Sequence, residues 1–296
     1  MVQPAHERRT GGWLIASRLI ALRAASLALS MRLATFLPPG SINPHAGEVR
    51  GEPGEERVYA HALEELTVLD RIADLEATPV EGQSWALAEV SLLAPVPQPR
   101  AIFGIGLNYA DHVKETGGET PEQPLLFMKL PSSAAPPNSP VHCPRVVRRL
   151  DYEGELAVIM GPGRSVAGYA VANDVTARDL QGREPQWTRA KGADGFCPYG
   201  PWITTADEVP DPHNLALRTW VNGELRQDSN TSNLIFTVPE LIEFISQTCT
   251  LAPGDVILTG TPSGVGIGQD PPKFLAADDV VRIEIERLGA IEHAVA

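Results

Sequence analysis

The chain has 296 residues, 43% hydrophobic and 21% charged, which is enough for a full core in one large domain or two and unlike a disordered tail. Its 37 acids against 24 bases give a net charge of −13, which argues against a nucleic-acid partner, because phosphate binding depends on clustered Lys and Arg. Cys143, Cys197 and Cys249 stand far apart with no C-x-x-C pair, so they suggest neither a disulfide framework nor a zinc knuckle and fit a reducing compartment.

Residues 1–30 differ from the rest. They hold Arg8, Arg9, Arg18 and Arg23 against Glu7 alone, and WLIASRLIALRAASLALS could form an Arg-bearing amphipathic helix like a transit peptide. The plainer reading is a disordered leader or an over-extended start, with the body of the protein beginning at Met31. Arginines cut the apolar runs, so no membrane span is expected; one needs about twenty mostly uncharged residues. With the separated cysteines, a cytoplasmic location is expected, with mitochondrial targeting by residues 1–30 as the alternative.

From Met31 to about Val90 the pattern is short strands and turns, with PPG, NPHAG and GEPGEE as breakers and ELTVLDRIADL as one helix. This reads as a small N-terminal β-rich domain, 31–92. The proline-rich LLAPVPQPR is an extended linker into a second domain, 93–290. There AIFGIGLNYADHVKE reads strand, glycine turn, short helix. LLFMK, ELAVIM, GYAVANDV, ALRTWVNG and DVILTG follow as strands between Pro and Gly turns. One helix interrupts them, started by a Thr237/Glu240 capping box before LIEFI and stopped at APGD. The pattern is mostly β (α+β), without an internal repeat.

Several familiar motifs fail. Gly104 and Gly106 begin a G-x-G, but Tyr109 stands where the third glycine belongs, and no P-loop or H-E-x-x-H occurs. Ser263 in GTPSG lacks the G-x-S-x-G elbow that would expose a nucleophile. What remains is a group of carboxylates in DYEGELAVIM and YAVANDVTARD. Glu153 and Glu155 alternate with Gly154 and so point the same way from a strand, and Asp174 ends the next one. Half-buried like charges need a cation, a shared proton or a basic neighbour. Three oxygen ligands without His or Cys favour a hard cation, Mg2+ or else Mn2+ or Ca2+. On the E-x-E alone, Glu153 and Glu155 read first as the solvent face of an amphipathic strand.

IGLNYADHVKE, FMK, DYEGELAV, NDVTARDLQ, WTRAKGADGFCPYGPWI, VNGELRQDSNTSNLIF and GDVILTGTPSGVG, in that order, resemble the fumarylacetoacetate hydrolase family, in its acylpyruvase and 2-hydroxyhepta-2,4-diene-1,7-dioate isomerase-like branch. The resemblance runs from Leu93 to about Glu286. It implies a mixed β-sandwich roll with a small N-terminal domain, a homodimer, and a divalent metal at the centre of one sheet face.

Carried over by residue, the resemblance makes Glu153, Glu155 and Asp174 the metal ligands. Arg178, Gln181 and Lys191 match positions that hold the substrate's carboxylate and oxyanion, and Thr261 the loop position whose hydroxyl and nearby amides receive a carboxylate. His112 and Glu115 share one face of a helical turn. The resemblance makes them a water-activating dyad on a lid that includes GGETPEQP. The activity implied is metal-dependent hydrolysis of 2,4-dioxo acids, with oxaloacetate decarboxylation or tautomerisation close by. The alternatives are a diene-dioate isomerase and a non-catalytic metal-binding member. Only GPGRSVAG links the two ligand-bearing strands, where relatives carry a connection longer by about ten residues. This hairpin must therefore bring Asp174 beside Glu153 on its own.

Overall fold

Short runs of β-branched and aromatic residues, cut by Pro and Gly turns, fold as strands over most of the chain. The computed structural model describes residues 31–63, 65–75 and 81–296, so the leader expected over 1–30 lies outside the described residues. β1 (Arg32–Leu37), β2 (His45–Arg50) and β3 (Arg57–His61) form an antiparallel meander across the expected breakers. α1 (Val68–Ala73) is shorter than the run ELTVLDRIADL; Thr67 and Asp70 close a capping box at its start. β4 (Glu81–Ala86) then pairs with β3, and β5 (Ser91–Leu92) with β1.

β6 (Ile102–Gly106) and β7 (Leu125–Lys129) pair antiparallel around α2 (Ala110–Thr116). The two-residue strands β8 (Ala134–Ala135) and β9 (Leu150–Asp151) lead into a hairpin of β10 (Gly154–Met160) and β11 (Val166–Asn173). β12 (Thr176–Ala177), α3 (Arg178–Gln181) and α4 (Thr188–Lys191) connect it to β13 (Cys197–Thr205). β14 (Ala216–Val221) and β15 (Glu224–Asn230) turn at Asn222-Gly223, the dipeptide a two-residue hairpin loop favours. α5 (Val238–Ser246) begins where the Glu240 carboxylate accepts from the Thr237 N–H and hydroxyl, both at 2.7 Å. β16 (Val256–Leu258) and the hairpin of β17 (Val280–Ile285) and β18 (Gly289–Ala294) complete the order.

Twelve strands make one sheet, in the order β4-β3-β2-β1-β13-β11-β10-β16-β6-β7 with β5 beside β1 and β8 beside β13; β15-β14-β17-β18 make a second. The β-rich segment 31–92 extends the large sheet, because β1 pairs with β13 at Arg32–Thr204 and Leu33–Ile203. Residues 31–296 form one compact unit.

β10 lies mid-sheet with every residue buried, and its side chains alternate between two cores. Leu156, Val158 and Met160 pack with residues of the second sheet, such as Leu217, Ile283 and Ile285, and with Leu241 and Ile245 of α5. Ala157 and Ile159 face the opposite cluster with Leu33, Ile72 and Ile203. The strand that opens on the carboxylates is thus held from both faces. Truncating Leu156 to Ala should cost about 2–5 kcal/mol in urea denaturation, as a fully buried leucine does. Leu225→Ala, on a side chain 46% exposed, should stay within about 0.5 kcal/mol. Equal losses at the two positions would contradict this placement of the core.

Candidate functional site

The β10–β11 register pairs Gly154 with Asn173, which sets Glu153 beside Asp174; the Asp174 N–H donates to the Glu153 carbonyl at 2.9 Å. The short connection suffices because residues 161–165 make a tight turn, with Gly163 at φ 62° and the Ser165 N–H donating to the Pro162 carbonyl at 3.1 Å. One carboxylate oxygen from each of Glu153, Glu155 and Asp174 lies within 4.8 Å of the others, and all three residues are buried, which removes the solvent-face alternative. Glu153 stands one residue before β10, so the pair brackets the strand's first residue.

Basic groups surround them. Lys191, at the end of α4, is buried rather than a surface charge, and its Nζ lies 2.6 Å from both Glu153 Oε2 and Asp174 Oδ2. Arg178 places Nη2 2.7 Å from Glu153 Oε1 and donates from Nε to Asp151 Oδ2 at 2.8 Å, so its partners are Asp151 and Glu153, not its neighbour Asp179. Its Nη1 donates to Gln181 Oε1 at 2.9 Å, which leaves the Gln181 NH2 group as a donor. Sequence reasoning gave no role to Lys129, which ends β7 fully buried. Its Nζ is 2.5 Å from Asp174 Oδ1 and also donates to the carbonyls of Val175 and Lys191. Asp151 was likewise passed over. Besides Arg178 it accepts from the Gly266 and Ile267 N–H groups at 2.7 and 3.0 Å, tying the glycine-rich loop to the cluster.

Glu155 is served differently. Its Oε2 accepts from the Gly260 N–H at 2.7 Å, and no ion pair reaches it among the described residues. Burial, compounded by Asp174 and Glu153 alongside, pushes its pKa well above the usual carboxylate range; Lys191 and the Gly260 N–H offset this only in part. Burial acts on Glu153 too, but Lys191 and Arg178 overrule it and bring that pKa down. Three cations, Lys129, Lys191 and Arg178, thus face four carboxylates, with Glu155 the one left over. A hard divalent cation fits this donor set, since all the ligand atoms are oxygens and the surplus charge is negative.

His112 and Glu115 meet on α2 as their spacing implies, with Nδ1 to Oε2 at 3.0 Å. The other Glu115 oxygen accepts from the Gly264 N–H at 2.8 Å. Gly264 has φ of 100°, in a region side chains rarely adopt, so the loop can present that N–H only with glycine there. Asn108, just ahead of α2, is buried and brackets Phe236 and Thr259 with three hydrogen bonds, which fixes where the helix starts. Residues 117–124 beyond α2 are largely exposed. The Thr261 hydroxyl donates to the Gly154 carbonyl at 3.0 Å and accepts from Gln227 Nε2 at 2.8 Å. That hydroxyl is thus engaged on both sides.

The sequence profile described as fumarylacetoacetate (FAA) hydrolase C-terminal matches residues 101–296. The chain belongs to the fumarylacetoacetate hydrolase family. Oxaloacetate tautomerase fahd2, mitochondrial, of Xenopus laevis is 40% identical over 292 residues, covering 91% of this chain and 92% of that protein. A crystal structure of 2-hydroxyhepta-2,4-diene-1,7-dioate isomerase from Mycobacterium marinum matches with a TM-score of 0.75 at 37% identity, over 90% of this chain and 98% of that one. A fumarylacetoacetate hydrolase from psychrophilic Exiguobacterium antarcticum gives 0.77 at 37%, over 90% and 99%. The fold expected from the sequence, mostly β with mixed sheets, is thereby established. Among the described residues of this family member, no helix is long and apolar enough to cross a membrane.

The state of Glu155 has a measurable effect on stability. A carboxyl whose folded pKa is raised contributes fully below its unfolded pKa, and that contribution is lost as pH rises through the folded value. In chelator, Glu155→Gln should therefore melt higher than wild type at pH 8, with the gap closing as pH falls toward 4.5. A lower midpoint for the Gln variant at pH 8 would contradict the assigned charge imbalance.

Proposed function

We propose that the protein is a divalent-cation-dependent enzyme that moves a proton on a small 2-oxo dicarboxylic acid, interconverting the keto and enol forms of an oxaloacetate-like substrate. The observation that carries this reading is the His112–Glu115 dyad, docked through Gly264 to the loop that follows the Glu155 partner Gly260. The name of the tautomerase relative, which matches this chain over nine-tenths of its length, supports it. Glu153, Glu155 and Asp174 would hold Mg2+, or else Mn2+ or Ca2+. Once bound, such an ion would offset the surplus carboxylate charge and polarise the 2-oxo and carboxylate oxygens of the substrate.

The chain's own groups supply the rest. With Nδ1 tied to Glu115, His112 offers Nε2 to take a proton from the carbon beside the ketone and hand it to the ketone oxygen, which becomes the enol hydroxyl. Lys191 uses two of its three N–H bonds on Glu153 and Asp174 and has a third for the oxygen that gains charge. Gln181, its carbonyl held by Arg178, has an NH2 group for a substrate carboxylate. α2 with residues 117–124 would close over the site as a lid.

A second reading is hydrolysis of 2,4-dioxo acids such as acylpyruvates or fumarylacetoacetate. It is favoured by the same dyad, which could take its proton from water instead, and by the likeness to the Exiguobacterium hydrolase. Oxaloacetate decarboxylation and diene-dioate isomerisation would likewise pass through an enolate of a 2-oxo acid, each its own. The non-catalytic alternative is disfavoured by a dyad, Lys191 and three carboxylates all intact in one fold. A homodimer belongs to the same proposal. So does a mitochondrial destination, which the name of the Xenopus relative favours over the cytoplasm.

The test is the ultraviolet decay of enol-oxaloacetate in Mg2+, run beside acylpyruvate and fumarylacetoacetate cleavage. Enol decay should be catalysed, abolished by chelator and restored by Mg2+. His112→Ala should lower kcat/KM about 10²–10⁴-fold, the usual contribution of a general base. Cleavage of a dioxo acid without enol turnover would transfer the conclusion to the hydrolase reading. Turnover of none of the three would leave the isomerase and non-catalytic readings.

A further inference from the structure

Two successive backbone N–H groups at the carboxylates are satisfied by side chains instead of by a neighbouring strand. Tyr152 and Glu153 lie outside the ladder, and β16 pairs with β10 only at Ala157, Val158 and Ile159, too far along to reach Gly154. The Gly154 N–H donates to Gln227 Oε1 at 3.0 Å. The Glu153 N–H donates to Asn173 Oδ1 at 2.9 Å. Asn173 is held in turn: its Nδ2 lies 2.9 Å from His293 Nε2, which must accept because the amide nitrogen donates. Gln227 and His293 come from β15 and β18, both in the second sheet, and all three side chains are buried.

The Gln227 amide is used at both ends. Its Nε2 donates to Thr261 Oγ1 at 2.8 Å and to the Pro262 carbonyl at 2.9 Å, so one side chain ties the Glu153–Glu155 backbone to the loop that follows Gly260. The close approach needs Gly154, since a Cβ there would lie 2.4 Å from Thr219 Oγ1. An unpaired buried N–H costs about 1–3 kcal/mol, and two in succession would let this short segment rotate toward other acceptors. A rotation of the Glu153 peptide would carry its carboxylate away from Glu155 and Asp174.

We propose that Gln227 and His293, acting through Gly154 and Asn173, are positioning residues that set the spacing of the three carboxylates and hence the cation affinity of the site. The proposal rests on the cation-site reading above. Such outer partners of a metal site are worth about 10–100-fold in affinity.

The experiment titrates the full chain with Mn2+ alone, followed by electron paramagnetic resonance, below the melting range of every variant. Gln227→Met and His293→Phe should each weaken Mn2+ about tenfold or more, whereas His293→Gln, which keeps an acceptor, should return to within about threefold of wild type. Ile291→Ala, a buried residue of β18 with no part in the network, is the control for destabilisation alone and should bind as wild type does. A loss in Ile291→Ala as large as in Gln227→Met, or no rescue by His293→Gln, would reduce the two residues to packing. Should His293→Phe not fold, Gln227→Met against Ile291→Ala separates positioning from packing in the same way. Wild type that binds no Mn2+ overturns both this proposal and the cation-site reading; wild-type binding with unchanged variants overturns this proposal alone.

Discussion

Everything around the site follows from packing four carboxylates into a core that cannot hydrate them. Asp151, Glu153, Glu155 and Asp174 are each 5% exposed or less. Burying a lone charge costs several kcal/mol, so each must find a cation, donors or a proton. Asp174 takes two lysines, Glu153 a lysine and an arginine, and Asp151 that arginine and three backbone N–H groups. Glu155 alone has a single N–H for its charge. An all-oxygen site left one positive charge short is prepared for a cation from solution, and the imbalance is confined to one residue at the start of β10.

Much of this was legible beforehand. E-G-E before an apolar run and D after another are sequence-local, and a hairpin with side chains alternating faces brings such residues together once its register is set. The short connection was no obstacle, because register, not linker length, determines which residues face each other. The NG turn and the capping box at Thr237 are equally local signals.

The omissions are all non-local. Lys129 ends a strand in FMK and, read alone, resembles a solvated charge; only its 45-residue closure onto Asp174 gives it meaning. Gln227 sits in VNGELRQ seventy-three residues from the N–H it satisfies, and His293 is farther still from Asn173. Asp151 lay inside a recognised motif but belongs to the cluster by virtue of a loop more than a hundred residues later. Pattern reveals which residues share a strand face, but not which distant side chain fills a hydrogen bond that the ladder leaves open. The Thr261 hydroxyl makes the same point, since the backbone and Gln227 engage it on both sides.

The dyad and the carboxylates are not independent devices. Glu115 divides its two oxygens between His112 and the Gly264 N–H, so the imidazole is aimed only while the loop 260–268 keeps its shape. That same loop gives its Gly260 N–H to Glu155, its Gly266 and Ile267 N–H groups to Asp151, and its Thr261 and Pro262 oxygens to Gln227. Any shift that loosens the loop therefore turns the His112 imidazole and unsettles two carboxylates together. Proton transfer from carbon and proton transfer from water ask the same of this arrangement, namely a fixed imidazole beside a polarised carbonyl. On the function proposed above, the choice between them would rest on whether α2 and residues 117–124 leave space for a water molecule beside His112, more than on the carboxylates.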